Sequence, residues 1–199
     1  MIAIIDYGMG NLRSVEKALQ KAGADTCVTQ DPREVEKADK IVLPGVGAMK
    51  PAMERLDRLG LVTAVKRAVG SQKPFLGICL GLQLLFEKSD EGGNVQGLGI
   101  FKGRVSRFKT LKVPHMGWNQ IRSRQDSSSL MQGISEGSNV YFCHSYFVEP
   151  SDPDVTLTTT DYGVTFTSSV SRGRLFGVQF HPEKSQKVGL KIMQNFTRL

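Results

Sequence analysis

The first half of the chain alternates short apolar runs with stretches of helical periodicity. Residues 2–5 form an apolar run, residues 6–11 form a glycine-containing turn, and apolar side chains then recur at helical spacing over residues 15–22. The pattern repeats: it predicts strands at 26–29, 41–43 and 75–78 and helical segments at 53–69 and 80–86. Such alternation is typical of a parallel sheet covered on both faces, with ligands at the carboxyl ends of its strands.

The second half is rich in Val, Thr and Phe, broken by Gly, Pro and Asp. It predicts strands around Val105 and at 140–148, 155–160, 164–170 and 175–180, a polar connection with one helical turn at 125–137, and a closing amphipathic helix at 187–199. We expect antiparallel additions to the sheet here. No repeat or linker divides the chain, so we predict one α/β domain over residues 1–199, with a mixed, largely parallel sheet flanked by helices.

Composition supports a folded protein in a reducing compartment. The 199 residues are 40% hydrophobic and 23% charged, which excludes disordered, collagen-like and coiled-coil classes. No apolar run approaches the about 18 residues of a membrane span, and no basic segment precedes the first apolar run as in a secretion signal. Three cysteines without a CxxC pair leave an odd thiol. We therefore expect a cytoplasmic protein without membrane association.

The net charge of +7 is concentrated in one segment. Residues 101–124 contain seven Lys or Arg and no acid. A solvated basic surface is the favoured interpretation, and a docking face for a protein partner or a phosphorylated ligand is the next. Nucleic acid is the least favoured partner, because no nucleic-acid-binding motif accompanies the charge. We predict none.

The stretch with the clearest chemistry is Gly77-Ile-Cys79-Leu-Gly81. A cysteine between two glycines, where a buried strand joins a helix, is the thiol form of the nucleophile elbow. The helix N-terminus favours the thiolate, and the backbone N–H of Leu80 would stabilise an oxyanion. The alternative is a buried cysteine that only packs. We interpret the other two, Cys27 and Cys143, as structural.

A cysteine nucleophile needs a base, and His181 is the best candidate. It follows the strand at 175–180, and Glu183 lies two residues on, on the same side of an extended chain, where its carboxylate can orient the imidazole. The alternative is a structural histidine beside a solvated glutamate. His115 and His144 have no carboxylate two residues away and fit structural, ligand-loop or partner-loop positions better. His and Cys spacing gives no support for a metal site.

These motifs together resemble the triad-type, or class I, glutamine amidotransferases. Within that family the chain is similar to the glutaminase subunits of imidazole glycerol phosphate synthases. The matching blocks are Asp6-Tyr-Gly-Met-Gly-Asn11, Pro44-Gly-Val-Gly47, Gly77-Ile-Cys79-Leu-Gly81-Leu-Gln83, Pro114-His-Met-Gly-Trp-Asn119 and His181-Pro-Glu-Lys-Ser185, which extend over nearly the whole chain.

The resemblance implies glutamine hydrolysis without a cofactor. Cys79 would form a thioester with glutamine, His181 would move the protons, and Glu183 would orient His181. Oxyanion donors would be Leu80 and the 44–47 loop at Val46 or Gly47, and that loop would swing into place on activation. Glutamine contacts would come from Gly47, Gln83, Glu91, Ser145 and Tyr146, with Asp90 an open alternative to Glu91.

The resemblance also implies a protein partner. The family subunit delivers ammonia to a separate (β/α)8-barrel synthase subunit, and the residues expected at that interface are Asn11, His115, Met116, Trp118 and Lys184. Three other functions stay open from the residues alone. They are a glutaminase serving a pyridoxal phosphate or anthranilate synthase, a non-catalytic basic binding module, and a cysteine peptidase.

Overall fold

A computed structural model of the chain describes residues 1–124 and 128–199. Its helices are α1 (Leu12–Lys21), α2 (Pro32–Lys37), α3 (Met49–Arg58), α4 (Leu61–Gly70), α5 (Leu80–Leu84) and α6 (Gln186–Thr197). Its strands are β1 (Ile2–Ile5), β2 (Thr26–Thr29), β3 (Lys40–Gly45), β4 (Phe75–Cys79), β5 (Phe86–Ser89), β6 (Val95–Gln96), β7 (Phe101–Arg107), β8 (His115–Gln120), β9 (Arg122–Ser123), β10 (Asn139–His144), β11 (Tyr146–Pro150), β12 (Thr156–Asp161), β13 (Thr165–Arg172) and β14 (Leu175–Val178).

One mixed sheet dominates the fold. Ten of its strands lie in the order β2-β1-β3-β4-β14-β13-β11-β7-β5-β6, and the first five of these run parallel. Strand β12 pairs antiparallel with β13 beside this path, and β9 pairs antiparallel with β12. The remaining pairs are antiparallel except β5 with β7. Within the part of the chain that the structure describes, strands β8 and β10 pair only with each other, as a two-stranded ribbon. The prediction of an α/β fold with a parallel centre and antiparallel additions is confirmed, and the separate ribbon is an addition to it.

Helices cover both faces of the parallel part, because its strands alternate their apolar side chains between two cores. In β3, Ile41 and Leu43 pack with helices α2 to α5, whereas Val42 packs with α1 and α6 on the opposite face. No helix within the described residues is both long enough and apolar enough to cross a bilayer.

Several sequence-based boundaries were wrong. The helical segment expected at 53–69 is divided between α3 and α4, because Gly60 adopts a left-handed conformation (φ +69°) between them. The helix expected at 80–86 ends at Leu84, and Phe86 starts β5. The strand expected at 140–148 is interrupted at Ser145.

Two connecting segments also differ from expectation. The segment at 114–119, interpreted as a loop, forms β8 from His115 onwards. Of the connection at 125–137, residues 125–127 lie outside the described part of the chain, and residues 128–137 form turns without a helix.

Candidate active site

The cysteine of the elbow sits at a strained turn between β4 and α5. Cys79 has φ +55° and ψ −108°, outside the ordinary regions for a residue with a side chain. Its flanking glycines allow the close approach this turn requires. A Cβ at Gly81 would collide with the carbonyl oxygen of Leu43, and one at Gly77 would lie 2.7 Å from the carbonyl oxygen of Gly81. The fold therefore presents Cys79 at the tip of a central strand.

Parallel register brings the predicted site residues to one edge of the sheet. Gly45 at the end of β3 pairs with Cys79, and Val178 of β14 pairs with Ile78 on the other side of β4. The 44–47 loop therefore leaves the sheet on one side of Cys79, and His181 follows β14 on the other. This is the carboxyl-terminal edge where ligands of parallel sheets bind.

The imidazole of His181 is held between a carboxylate and the thiol. Its Nδ1 lies 2.8 Å from Oε1 of Glu183, and the two side chains are only 4% and 1% exposed. Burial lowers the pKa of His181, but hydrogen bonds to Cys79 and Glu183 and their charges outweigh it and raise the pKa from 6.5 to about 10. Glu183 thus fixes one ring nitrogen, and the other is available to the sulfur.

A second set of bonds attaches His181 to strand β10. The backbone N–H of His181 donates to the carbonyl of Tyr141 (2.9 Å), and the N–H of Tyr141 donates to Oγ of Ser185 (3.0 Å). The Ser185 hydroxyl in turn donates to the carbonyl of His181 (2.7 Å). Ser185 is a supporting residue that the sequence showed only as the end of the His181-Pro-Glu-Lys-Ser185 block.

A cleft of about 290 Å³ opens above the elbow. The residues that line it are Val46, Gly47, Cys79, Leu80, Gln83, Glu91, Pro114, Cys143, His144, Ser145, Tyr146, His181 and Lys184. The structure therefore brings together every residue expected to donate to an oxyanion or to contact glutamine. Glu91 lines the cleft and Asp90 does not, which favours Glu91 of the two alternatives. Glu183 lies behind His181, outside the lining.

Gln83 is less free than expected. Its Nε2 donates to the carbonyl of Tyr146 (2.9 Å) and to Oε1 of Gln179 (3.0 Å), so both amide hydrogens are used within the protein. Only the side-chain oxygen of Gln83 is left for a substrate. Gln179, fully buried, lies with its Nε2 3.7 Å from the sulfur of Cys79. No local pattern in the sequence predicts this contact, because it joins the residue after β14 to the last residue of β4 and depends on how the two strands pack.

Four of the five predicted interface residues are exposed, and His115 is not. Met116 is 60% and Trp118 is 49% exposed, and Asn11 and Lys184 also face solvent. Side chains alternate along β8, so the strand turns Met116 and Trp118 outward and His115 inward, where only 3% of it is exposed. The prediction that His115 contacts a partner directly is therefore corrected. No group of three or more His, Cys, Asp or Glu in the described ranges could hold a metal ion.

Comparisons with known proteins agree with this geometry. The family model of class-I glutamine amidotransferases matches residues 3–198. The chain is 54% identical to imidazole glycerol phosphate synthase subunit HisH of Syntrophotalea carbinolica, with 98% of each chain covered. It is 52% identical to the HisH subunit of Moorella thermoacetica (100% and 94% covered) and 53% identical to that of Aquifex aeolicus (98% and 95% covered).

Solved structures share the fold at low sequence identity. A glutamine amidotransferase crystal structure superposes with a TM-score of 0.78 at 16% identity, with all of both chains covered. PurLQS from Thermotoga maritima gives 0.78 at 17% identity, with 99% of this chain and 97% of that one covered. With a family match over residues 3–198 and relatives at about half identity over their full length, the chain belongs to the class I glutamine amidotransferase family.

Proposed function

We propose that this chain is the glutamine-hydrolysing subunit of an imidazole glycerol phosphate synthase, and that Cys79, His181 and Glu183 carry out the hydrolysis. The observation that carries the assignment of roles is the arrangement of His181, which bonds Glu183 through Nδ1 and meets the Cys79 thiol at the tip of β4. The relatives at 52–54% identity favour this synthase over the pyridoxal phosphate and anthranilate systems. Membership of this enzyme family also disfavours a non-catalytic module and a peptidase.

The first half-reaction forms a thioester. His181 accepts the proton of the Cys79 thiol as the sulfur attacks the side-chain amide carbon of glutamine, and the oxygen of that amide becomes an oxyanion. The N–H of Leu80, at the start of α5, and an N–H of Val46 or Gly47 stabilise this charge. His181 then donates a proton to the departing nitrogen, and ammonia leaves.

The second half-reaction regenerates the thiol. His181 removes a proton from a water molecule, whose oxygen attacks the thioester carbon. As the carbon–sulfur bond breaks, His181 returns the proton to the sulfur of Cys79 and glutamate leaves. Glu183 stabilises the protonated imidazole at both stages through its 2.8 Å bond to Nδ1. The net reaction converts glutamine and water to glutamate and ammonia.

The rest of the cleft positions the amino acid. Glu91, whose Oε2 accepts from the N–H of Met49 (2.8 Å), offers its carboxylate to the α-ammonium group. The backbone at Ser145 and Tyr146 receives the α-carboxylate on another side of the cleft. These two contacts hold the side-chain amide toward Cys79.

The ammonia passes to a separate (β/α)8-barrel synthase subunit. Uncharged ammonia protonates in water, so the cleft must open toward the partner. Exposed apolar residues support such a docking face near the site: Val46 of the cleft is 41% exposed, and Met116 and Trp118 follow Pro114 of the same cleft. Asn11 and Lys184 supply polar contacts at its rim.

Substitution of Cys79 in the assembled synthase tests the proposal. Cys79→Ala should abolish product formation from glutamine and leave formation from added ammonium salts intact, because the barrel subunit still receives ammonia. Cys27→Ala, in the edge strand β2, is the matched control and should retain both activities. If Cys79→Ala removes both activities while the two subunits still associate, the role given to Cys79 is wrong.

A further inference from the structure

Two buried histidines connect strand β8 to the active-site cleft through a continuous chain of hydrogen bonds. Asn119 Nδ2 lies 3.3 Å from Nε2 of His115, and Nδ1 of His115 lies 2.9 Å from Nε2 of His144. Nδ1 of His144 then lies 2.8 Å from the carbonyl oxygen of Tyr146. The mechanism above uses neither histidine.

The chemistry of the two ends fixes the direction of every bond. A carbonyl oxygen only accepts, so Nδ1 of His144 must carry the hydrogen that bonds Tyr146. In a neutral ring, Nε2 of His144 is then an acceptor, and Nδ1 of His115 must donate to it. Nε2 of His115 accepts in turn from the amide of Asn119. Each ring therefore has one allowed tautomer.

Both rings are neutral in their surroundings. Burial lowers the pKa of His115 to about 4. Burial also lowers the pKa of His144 to about 3; the bond to Tyr146 opposes this, and the charges of His115 and His181 add to it. Aromatic rings pack around the pair, with Phe142 and Tyr162 stacked on His115 and Phe108 edge-on to His144.

The chain of hydrogen bonds ends at the backbone carbonyl of Tyr146, a residue that lines the cleft. The carbonyl of Tyr146 accepts from His144 on one side and from Gln83 Nε2 on the other, at 2.8 and 2.9 Å. His144 lies on the ribbon and Gln83 lies on α5 beside the nucleophile, so the peptide that joins Tyr146 to Phe147, directly after the Ser145–Tyr146 backbone, is held between the two. Two opposed donors leave this peptide little freedom to rotate.

We infer that His115 and His144 are positioning residues for glutamine binding: as a pair with fixed tautomers, they orient the Ser145–Tyr146 backbone that receives the α-carboxylate. The inference rests on the proposed function, which places the α-carboxylate at this backbone. The contact is to a part of glutamine that does not react. Its loss should therefore raise KM and leave kcat nearly unchanged.

Variants at position 144 separate the two bonds of the ring. Asparagine places an amide donor near Nδ1 and keeps the bond to Tyr146, whereas glutamine reaches the Nε2 position and loses that bond. We expect His144→Asn to keep KM for glutamine within about threefold of wild type and His144→Gln to raise it about tenfold, the value of one hydrogen bond. kcat in the assembled synthase should change by less than about threefold in both.

The tautomer is measured directly by ¹⁵N NMR of the imidazoles. Wild-type His144 should carry its hydrogen on Nδ1. His115→Phe removes the donor to Nε2 while the Tyr146 carbonyl keeps the hydrogen on Nδ1, so the ring of His144 loses one of its two anchors and KM should rise. His115→Asn should restore this anchor and the wild-type KM. Phe142→Leu is the matched control: it removes a ring packed on His115 without removing a hydrogen bond, and should leave KM unchanged.

Three results overturn the inference: a wild-type His144 protonated on Nε2, equal KM values for the Asn and Gln variants at 144, or a rise in KM for Phe142→Leu as large as that for His144→Gln. A failure of the proposed function is distinguishable, because wild-type synthase would then release no glutamate from glutamine. The NMR result does not depend on catalysis and decides the tautomers in either case.

Discussion

Replacement of Glu183 by glutamine removes the charge that orients the base and hardly alters its shape. The carboxylate lies 2.8 Å from Nδ1 of His181 and is 1% exposed, so solvent screens it little. A rise in the pKa of His181 from 6.5 to about 10 corresponds to about 5 kcal/mol of preference for the protonated ring. The interactions of the ring with Cys79 and Glu183 together produce this preference, and burial of the ring opposes it.

Two measurable quantities should change in Glu183→Gln: the pKa of His181 and kcat for glutamine hydrolysis. The pKa, followed by NMR of the ring protons, should fall by at least one pH unit, because burial is then opposed by Cys79 alone. kcat for glutamine hydrolysis should fall on the order of 10²- to 10⁴-fold, because the protonated imidazole loses its stabilising partner. Cys79→Ala should lower the same pKa through the other partner.

The pH dependence of stability gives a second reading of the same pair. The folded-state pKa of His181 is raised, so its contribution to the free energy of unfolding is fully present below pH 6.5 and is lost as the pH rises through about 10. Urea unfolding of the wild type between those limits should show this loss, and Glu183→Gln should show a smaller one.

Glu149→Gln is the matched control. Glu149 is also a carboxylate in an ion pair, with Arg104 at 2.6 Å, but it is 38% exposed and lies outside the lining of the cleft. It should leave the pKa of His181 and the activity unchanged. A His181 pKa in Glu183→Gln equal to that of the wild type would refute the assigned role of this carboxylate.

Three further predictions concern stability, each measured by urea unfolding. Tyr7→Phe should leave the free energy of unfolding unchanged or raise it by up to about 1 kcal/mol, since the Tyr7 hydroxyl is buried without a partner among the described residues; a clear loss would contradict this. Gly81→Ala should cost about 3 kcal/mol or more through collision with the Leu43 carbonyl, whereas Gly70→Ala, with open space around it, should be neutral or stabilising. Asn195→Ala should cost about 1–3 kcal/mol, because the backbone carbonyls of Leu130 and Gln132 lose their donor; a neutral result would show that water replaces it.

The central strands were predictable because both of their faces are buried. Runs such as 2–5, 41–43 and 75–78 are continuously apolar, which no surface loop would be. Strand β8 could not be read in this way. It turns His115 inward and Met116 and Trp118 outward, so its polar and apolar positions are the reverse of an ordinary surface strand.

The site divides in the same way between local and distant information. The elbow around Cys79 and the pair of His181 and Glu183 depend on residues that lie two positions apart, so both can be recognised in the sequence. The bonds of Gln179 to Cys79 and Gln83, and of His144 to His115, join residues 29 to 100 positions apart, and only packing decides them. Helix α2 has only a local signal: Asp31 caps it and Pro32 is its first residue. Its six residues are too few to show a helical periodicity, so the helix is missing from the sequence-based prediction.

The attachment of His181 to strand β10 has a mechanical consequence. The sulfur belongs to the main sheet, whereas the segment that carries the imidazole makes two hydrogen bonds to β10, through the backbone of His181 and the hydroxyl of Ser185. The partner strand of β10 in the ribbon carries Met116 and Trp118. Pressure on the outer surface of that ribbon would shift the proton carrier relative to its nucleophile. A docked protein could thereby switch the reaction on or off from a distance, with no contact to either reacting group.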